Sequence, residues 1–216
     1  MEKNKLYETT FFGSLLTMTA GSIDAYSYLF HGGTFAGLQT GNIILLGIKL
    51  GQKDWTNSWH YIVSIMSFFV GTIIIRSFQR SNWSRTHENE RHKLVLVYET
   101  ILLLTIAFTS KFLANLIAVT LLSLTASAEL QEFRQLNGRP FTPLMMTGNV
   151  RTIAETTYDS VVLRKKDALQ TLKDTSMILF TFVIGAALIA IGIPIFNQFS
   201  IIIPAILIVV ALIYLK

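Results

Sequence analysis

Two copies of one tripeptide, Thr40-Gly41-Asn42 and Thr147-Gly148-Asn149, and one acid, Asp24, in an otherwise uncharged hydrophobic helix are the residues best able to do chemistry. A helix restarting at each Thr would expose free backbone N–H groups and the positive end of its dipole, a setting that suits an anion or a carboxylate. Threonine can cap such a terminus, and an asparagine or glutamine side chain offers both donors and acceptors to a solute. Asp24 would be costly to bury in lipid, which makes it a proton carrier, a cation site or a cap for the second broken helix. The same residues also have a plainer reading, in which Gly lets helices approach closely while Thr and Asn hydrogen-bond across them.

The binding reading collects Asp24, Gln39, Thr40, Gly41, Asn42, Gln131, Thr147, Gly148 and Asn149 into a solute site, with Asp24 and Glu129 as candidate proton carriers. Gln131 is the neutral counterpart of Asp24, so proton coupling through this pair would be asymmetric. Glu129 and Glu132 share the helix of Gln131, with Glu129 nearer mid-span. Glu99 lies near the start of its own helix and reads as a side chain snorkelling to the interface. Arg134, Arg139 and Arg151 bracket the second broken segment as a cationic rim, which attracts anionic solutes or lipid headgroups or simply fixes orientation.

The elements that carry these residues repeat. A shift of 107 positions, the offset from Thr40 to Thr147, places Ile23 on Leu130, Asp24 on Gln131, Tyr26 on Phe133, Leu38 on Met145 and Ile43 on Val150. Downstream, Phe68-Phe69-Val70-Gly71 and Phe182-Val183-Ile184-Gly185 open similar helices, now offset by 114 positions. Duplication explains helix, break and following helix together, and internal symmetry is common in transporters.

With 51% hydrophobic residues, 14% charged residues and a mean hydropathy of +0.51, the chain is too apolar for an ordinary soluble domain and reads as an all-α, multi-pass membrane bundle. Apolar stretches at 9–30, 60–75, 94–110, 112–133, 175–193 and 199–215 predict six spans. The glycine-broken stretches 34–50 and 140–163 either span or re-enter. If both re-enter, Lys3, Lys5, Arg80, Arg85, Arg91, Lys93 and the basic stretch 134–173 fall on one side, leaving Lys49, Lys53 and Lys111 opposite, as cytoplasmic enrichment of Lys and Arg requires. Six spans place three in each repeat, an odd number, so the second copy is inverted. The whole chain 1–216 is then a single membrane domain, with repeats at about 9–78 and 113–193 and additional spans at 94–110 and 199–215.

Enzyme signatures are absent. With no Cys there is no thiol nucleophile or thiolate metal site. His87-Glu88 and His92 miss the H-E-x-x-H spacing and read as a solvated loop. No phosphate-binding loop, dinucleotide fingerprint or nucleophile elbow is present, so no cofactor is expected, and an ATP-driven pump is excluded for this chain on its own. The net charge of +5 belongs to loops beside the membrane, with no basic run interleaved with aromatics for nucleic acid. The first hydrophobic stretch leads straight into the repeated motif, against a cleaved signal peptide. Gly71 with Thr72, and Gly185 to Gly192, read as helix-packing positions. Trp55, Trp59 and Tyr61 read as interfacial anchors.

The run Ala20-Gly21-Ser22-Ile23-Asp24-Ala25-Tyr26-Ser27-Tyr28-Leu29, followed by Phe35, Thr40-Gly41-Asn42 and Gly47, resembles the first half of the YoaK family of bacterial multi-pass membrane proteins. Leu130-Gln131 and Thr142 to Asn149 resemble that family's second motif, and the Phe-x-x-Gly helices match as well. The chain departs from the family pattern at Ala128-Glu129-Leu130-Gln131-Glu132, where acids replace small or neutral residues. The resemblance implies a bacterial cytoplasmic membrane and small-molecule transport. Together these readings predict a secondary transporter that moves a small polar or anionic solute between the two Thr-Gly-Asn segments, with membrane lipids as partners and room for a homo-oligomer. The alternative is a non-transporting assembly or lipid-binding factor, with a membrane-embedded enzyme third.

Overall fold

The computed structural model describes residues 5–109 and 114–216. Lys3, Ser110, Lys111 and Phe112, named above for charge placement or span ends, lie outside the described residues. The α-helices are α1 (Thr10–Phe30), α2 (Gln39–Gly51), α3 (Trp59–Arg80), α4 (Asn82–Thr86), α5 (Glu88–Thr109), α6 (Asn115–Glu132), α7 (Met146–Val161), α8 (Lys166–Phe196) and α9 (Ile202–Tyr214). A short hairpin of β1 (Gln135–Leu136) and β2 (Arg139–Pro140) follows α6.

Three described stretches, Trp59–Arg80, Glu88–Thr109 and Lys166–Tyr214, are long and apolar enough to cross a membrane. The longest is two helices. At Asn197 the backbone takes a left-handed turn (φ 53°), and a 3-10 turn, Asn197–Ile201, leads into α9. Tyr214 at the end of α9 comes back to Thr9, 3.4 Å between hydroxyls, so the start of α1 and the end of α9 lie at one end of the bundle.

Side-chain bonds set the remaining directions. Along α1, Thr10 donates to Asp174, Thr17 meets Thr181 and Ser22 donates to the Gly185 carbonyl, in step with α8, so the two helices run parallel. Along α3, Ser64 meets Ser123 and Gln79 meets Gln131, so α3 runs parallel to α6. α5 runs antiparallel to α6, with Arg91 and His92 near its start touching Glu132 at the end of α6.

Glycine makes the first parallel pair close. A Cβ on Gly185 would lie 1.9 Å from the Met18 carbonyl oxygen, and one on Gly21 would lie 2.1 Å from that of Phe182. Gly71 serves the second pair, where a Cβ would lie 2.1 Å from Ser127 Oγ.

α1 and α6 are the innermost helices, and most of their residues are buried, including Ser14, Thr17, Thr19, Ser22, Asp24 and Ser27 in α1 and Ser123, Thr125, Ser127, Glu129 and Glu132 in α6. The outer helices instead expose large apolar side chains such as Ile43, Ile44, Phe69, Ile73, Ile101, Phe180, Val183, Ile191 and Ile206. An apolar exterior around a polar interior is what lipid requires of a bundle. Central helices can carry polar residues because their neighbours shield them from lipid.

Candidate functional site

The chain breaks after α1 and after α6, and each break folds back into the bundle. Gly32 and Gly33 both take left-handed backbone (φ 74° and 72°), a conformation nearly closed to other residues. They turn the chain down beside α1, so that the Gly37 N–H donates to Asp24 Oδ1 at 2.6 Å and the Leu38 N–H donates at 3.4 Å. α2 then returns to the end where it entered. Its successor α3 starts there, with His60 beside Gly32, and His31 meets Asn115 at the start of α6, 3.1 Å away. At 13 residues α2 is roughly 20 Å long, short of the roughly 30 Å of a hydrocarbon core.

The second break enters from the other end. The Asn137 N–H donates to the Glu8 carbonyl at 2.7 Å, and Arg139 and Asn137 bind Asp174. The chain then climbs to Leu144, and α7 comes back to the start of α8, where the Lys165 N–H donates to the Asp159 carbonyl at 3.1 Å. The two breaks meet inside the bundle: a Cβ on Gly37 would lie 2.1 Å from Leu144 Cδ2 and 3.4 Å from Ala126 Cβ. Leu38 and Met145, superposed by the sequence offset, are the N-cap positions of α2 and α7.

Asp24 is therefore a cap, and it caps the first broken helix, not the second as one sequence reading had it. Its carboxylate accepts from the two residues immediately before α2. Its other oxygen, Oδ2, is buried without a hydrogen-bond partner.

Asn42 is fully buried. Its Oδ1 accepts from the Phe35 N–H at 2.9 Å, and its Nδ2 donates to the Phe35 carbonyl at 2.7 Å, Gln39 Oε1 at 3.0 Å and Ser64 Oγ at 3.0 Å. Ser64 bridges onward to Ser123 on α6 at 2.9 Å. Gln39 donates to the Ala36 carbonyl at 2.8 Å and to Ser64. Thr40 is exposed and Gly41 lies under the Phe35 ring.

The second copy has no such lattice. Asn149 is half-buried and meets Met146 Sδ at 3.5 Å, while Thr147 and Gly148 are exposed. Gln131 sits apart from Asp24, exchanging bonds with Gln79 on α3. Among the described residues no hydrogen bond joins the two Thr-Gly-Asn copies.

Two residues read differently from sequence. Glu99 does not snorkel; it is fully buried, and neither carboxylate oxygen has a hydrogen-bond partner. His92 is not in a solvated loop but buried on α5, with Nδ1 2.7 Å from Glu132 Oε1. Both face inward because α5 packs between α6 and α9, a placement that hydropathy alone does not reveal. Likewise Tyr61 is buried, whereas Trp55 and Trp59 are exposed as interfacial anchors would be.

The acids line up. Glu129, 1% exposed and without hydrogen-bond partners, interacts electrostatically with Asp24. Glu99 interacts with Glu129 and Glu132. Glu132 accepts from Arg91 Nε at 2.7 Å and from Gln79 Nε2 at 2.8 Å. Beyond Glu132 opens a polar cavity of about 380 Å³, walled by Arg76, Gln79, Arg91, Gln131, Glu132 and Arg134 among others. Tyr7 closes part of its rim, and burial raises its phenol above the ordinary pKa.

A helical bundle with large apolar side chains on its exterior, apolar stretches of spanning length and buried polar residues in its innermost helices is an integral membrane protein. The chain belongs to the family described as Protein of unknown function (DUF1275), which matches residues 12–214. It is 26% identical over 201 residues to the UPF0700 transmembrane protein YoaK of Bacillus subtilis (strain 168), covering 90% of this chain and 88% of that one. No solved structure matches it.

Proposed function

We infer that the chain is a secondary transporter of a small polar or anionic solute, built from two inverted repeats. In this reading α1, α3, α5, α6, α8 and α9 cross the bacterial cytoplasmic membrane, while α2 and α7 re-enter it from opposite faces. The observation that carries it is the meeting of the two backbone breaks, Gly37 against Leu144, beside buried Asp24. Non-helical backbone at membrane depth is tolerated where it is buried in protein or lines a wet cavity, and paired breaks at the midplane are how inverted-repeat transporters build their sites.

The packing supports the symmetry. Exchanging the repeats sends α1 to α6, α3 to α8 and α5 to α9, and the parallel pair α1 with α8 then becomes the parallel pair α6 with α3. The basic residues support the topology, since Arg80, Arg85, Arg91, Arg134, Arg139 and Arg164 gather toward the end that holds the start of α1 and the end of α9.

The test is transport itself. Purified protein is reconstituted into vesicles enclosing a pH dye and challenged with amino acids, carboxylates and phosphate in turn. At least one solute should drive a pH change that Asp24→Asn abolishes; no response to any of them, with folded protein in the bilayer, sinks the reading. The saturated bonding of Asn42 favours a second reading, in which the motifs lock helices and the chain is a non-transporting assembly or lipid-binding factor. That reading expects Asp24→Asn and Asn42→Ala to alter stability with no solute-dependent signal in the wild type.

A further inference from the structure

Glu99 and Glu129 pose a physical problem that the solute site does not use. Each is at least 99% buried, and none of their four carboxylate oxygens has a hydrogen-bond partner. An ionised carboxylate in that position has no donor to replace its water, and a neighbouring like charge adds repulsion at low dielectric. Something must neutralise it. The same helices that bury these acids also connect them, because Glu129 and Glu132 stand at i and i+3 on α6, and Glu99 on α5, which packs against α6, interacts electrostatically with both.

The far end of this row is wet. Glu132 forms part of the wall of the 380 Å³ cavity, held there by Arg91, Gln79 and His92. The near end is Asp24, whose free Oδ2 lies within the electrostatic reach of Glu129.

We propose that Glu132, Glu99 and Glu129 form a proton pathway from this cavity to Asp24 at the helix break. It rests on the transport reading above for its purpose, and it names that transporter's coupling ion. A proton enters at Glu132, whose charge the Arg91 guanidinium and His92 hold at the cavity wall. It passes to Glu99 and on to Glu129, each a carboxylate that becomes a neutral acid on accepting the proton and a carboxylate again on passing it on, and reaches Asp24 Oδ2. Each transfer breaks one O–H bond and forms another, directly or through a water molecule, so charge and atoms balance at every step. A proton fits better than a metal ion, since the described residues bring no three acidic or histidine side chains into a common metal-binding group.

Other titratable groups surround this row, among them Lys5, Glu8, Glu88 and Arg134 on the cavity wall, with Glu88 4.0 Å from His92 Nε2. α5 contributes Arg91, His92 and Tyr98, α1 contributes Asp24, α3 contributes Arg76, and the Tyr7 ring lies tilted against His92 with centroids 4.2 Å apart. α9, packed against α5, contributes Tyr214 at its far end.

The experiment reads protonation, not transport. Full-length protein in lipid nanodiscs, without added solute, is taken through a rapid pH jump while the C=O stretch of protonated carboxyl groups is followed in the infrared. The wild type should show at least two such bands, with Glu99→Gln and Glu129→Gln each deleting one and Glu99→Asp keeping a shifted one. Glu132→Gln should slow their response. So should a bulky maleimide on a cysteine placed at Gln135 in the cavity wall, a clean label because the chain has no other Cys.

Bands that survive both Gln substitutions overturn the pathway, as do bands that respond at an unchanged rate when the cavity is plugged. Bands that respond to sodium at fixed pH show a cation site instead and also overturn it. If the bands behave as expected but no solute moves in the vesicle assay, the pathway stands and the transport reading falls. Transport with silent carboxyl groups gives the reverse.

Discussion

Replacing Asn42 by Ala should unfold the protein at a markedly lower temperature, whereas the same change at its sequence twin Asn149 should hardly matter. The Asn42 side chain satisfies the Phe35 N–H, shares the Phe35 carbonyl with Ser64 and ties Gln39 to Ser64, all in a buried setting. Removing it leaves the Phe35 N–H without its partner and weakens the Ser64 to Ser123 bridge between α3 and α6. A buried donor left unsatisfied costs about 1–3 kcal/mol, and the lost bonds about 1 kcal/mol more, which gives about 2–4 kcal/mol in all. At roughly 2–4 °C per kcal/mol for a chain of this size, the melting temperature falls by roughly 4–16 °C. Asn149 loses one long contact to sulfur on a half-buried face, an effect within about 0.5 kcal/mol. Thermal unfolding of the two variants in the same detergent, followed by tryptophan fluorescence, decides it. Equal destabilisation by both, or none by Asn42→Ala, would refute the claim that the first motif copy is a structural lock and the second is not.

Other substitutions separate close packing from open space. Gly185→Ala drives a methyl against the Met18 backbone and should cost at least about 1–3 kcal/mol in the same melt, while Gly148→Ala, with nothing within 4 Å, should stay within about 0.5 kcal/mol. Asp174→Asn weakens a hub that accepts from Thr10, Asn137, Arg139 and Gln170. Its cost is on the order of 1 kcal/mol, discounted for the partly exposed Arg139, and limited proteolysis near Gly138 should speed up. Single cysteines at Arg85 and at Lys166 should react with an impermeant maleimide from the same side of intact cells, and one at Lys53 from the other. Opposite labelling of the first two would mean that a broken segment crosses.

The long helices were legible because their apolar runs are long, and the breaks because Gly32-Gly33 and the turn at Asn137-Gly138 have few other uses. The start of α7 at Met146 follows from the start of α2 at Gln39 by the repeat offset alone. Burial of individual polar residues was not legible. Glu99 near the beginning of an apolar helix has the pattern of a snorkelling side chain, and only its packing against α6 turns it inward. His92 is similar, since its partner Glu132 is 40 positions away in sequence and the pair exists because α5 and α6 run antiparallel. The small hairpin at Gln135–Pro140 left no periodic signal, being four paired residues around a turn.

The divergence of the two half-sites has a common cause in how each break satisfies its backbone. In the first, the N–H groups of Gly37 and Leu38 take their acceptor from a carboxylate on the neighbouring helix, Asp24. In the second, the Met145 N–H, which stands where Leu38 does in the first, finds the Thr142 carbonyl of its own turn at 3.4 Å, so no acid at the position of Gln131 is needed for it. Gln131 is released to bind Gln79, and the acids of α6 fall instead at Glu129 and Glu132, on the face turned toward α5 and Asp24. The buried carboxylates of α1 and α6 thus stand at different positions relative to the break that follows each helix. Exchanging the pair as Asp24→Gln with Gln131→Asp should therefore fail to restore stability, because an aspartate at 131 meets Gln79 and not a helix start; recovery to the wild-type melting temperature would show that the two breaks are held alike after all.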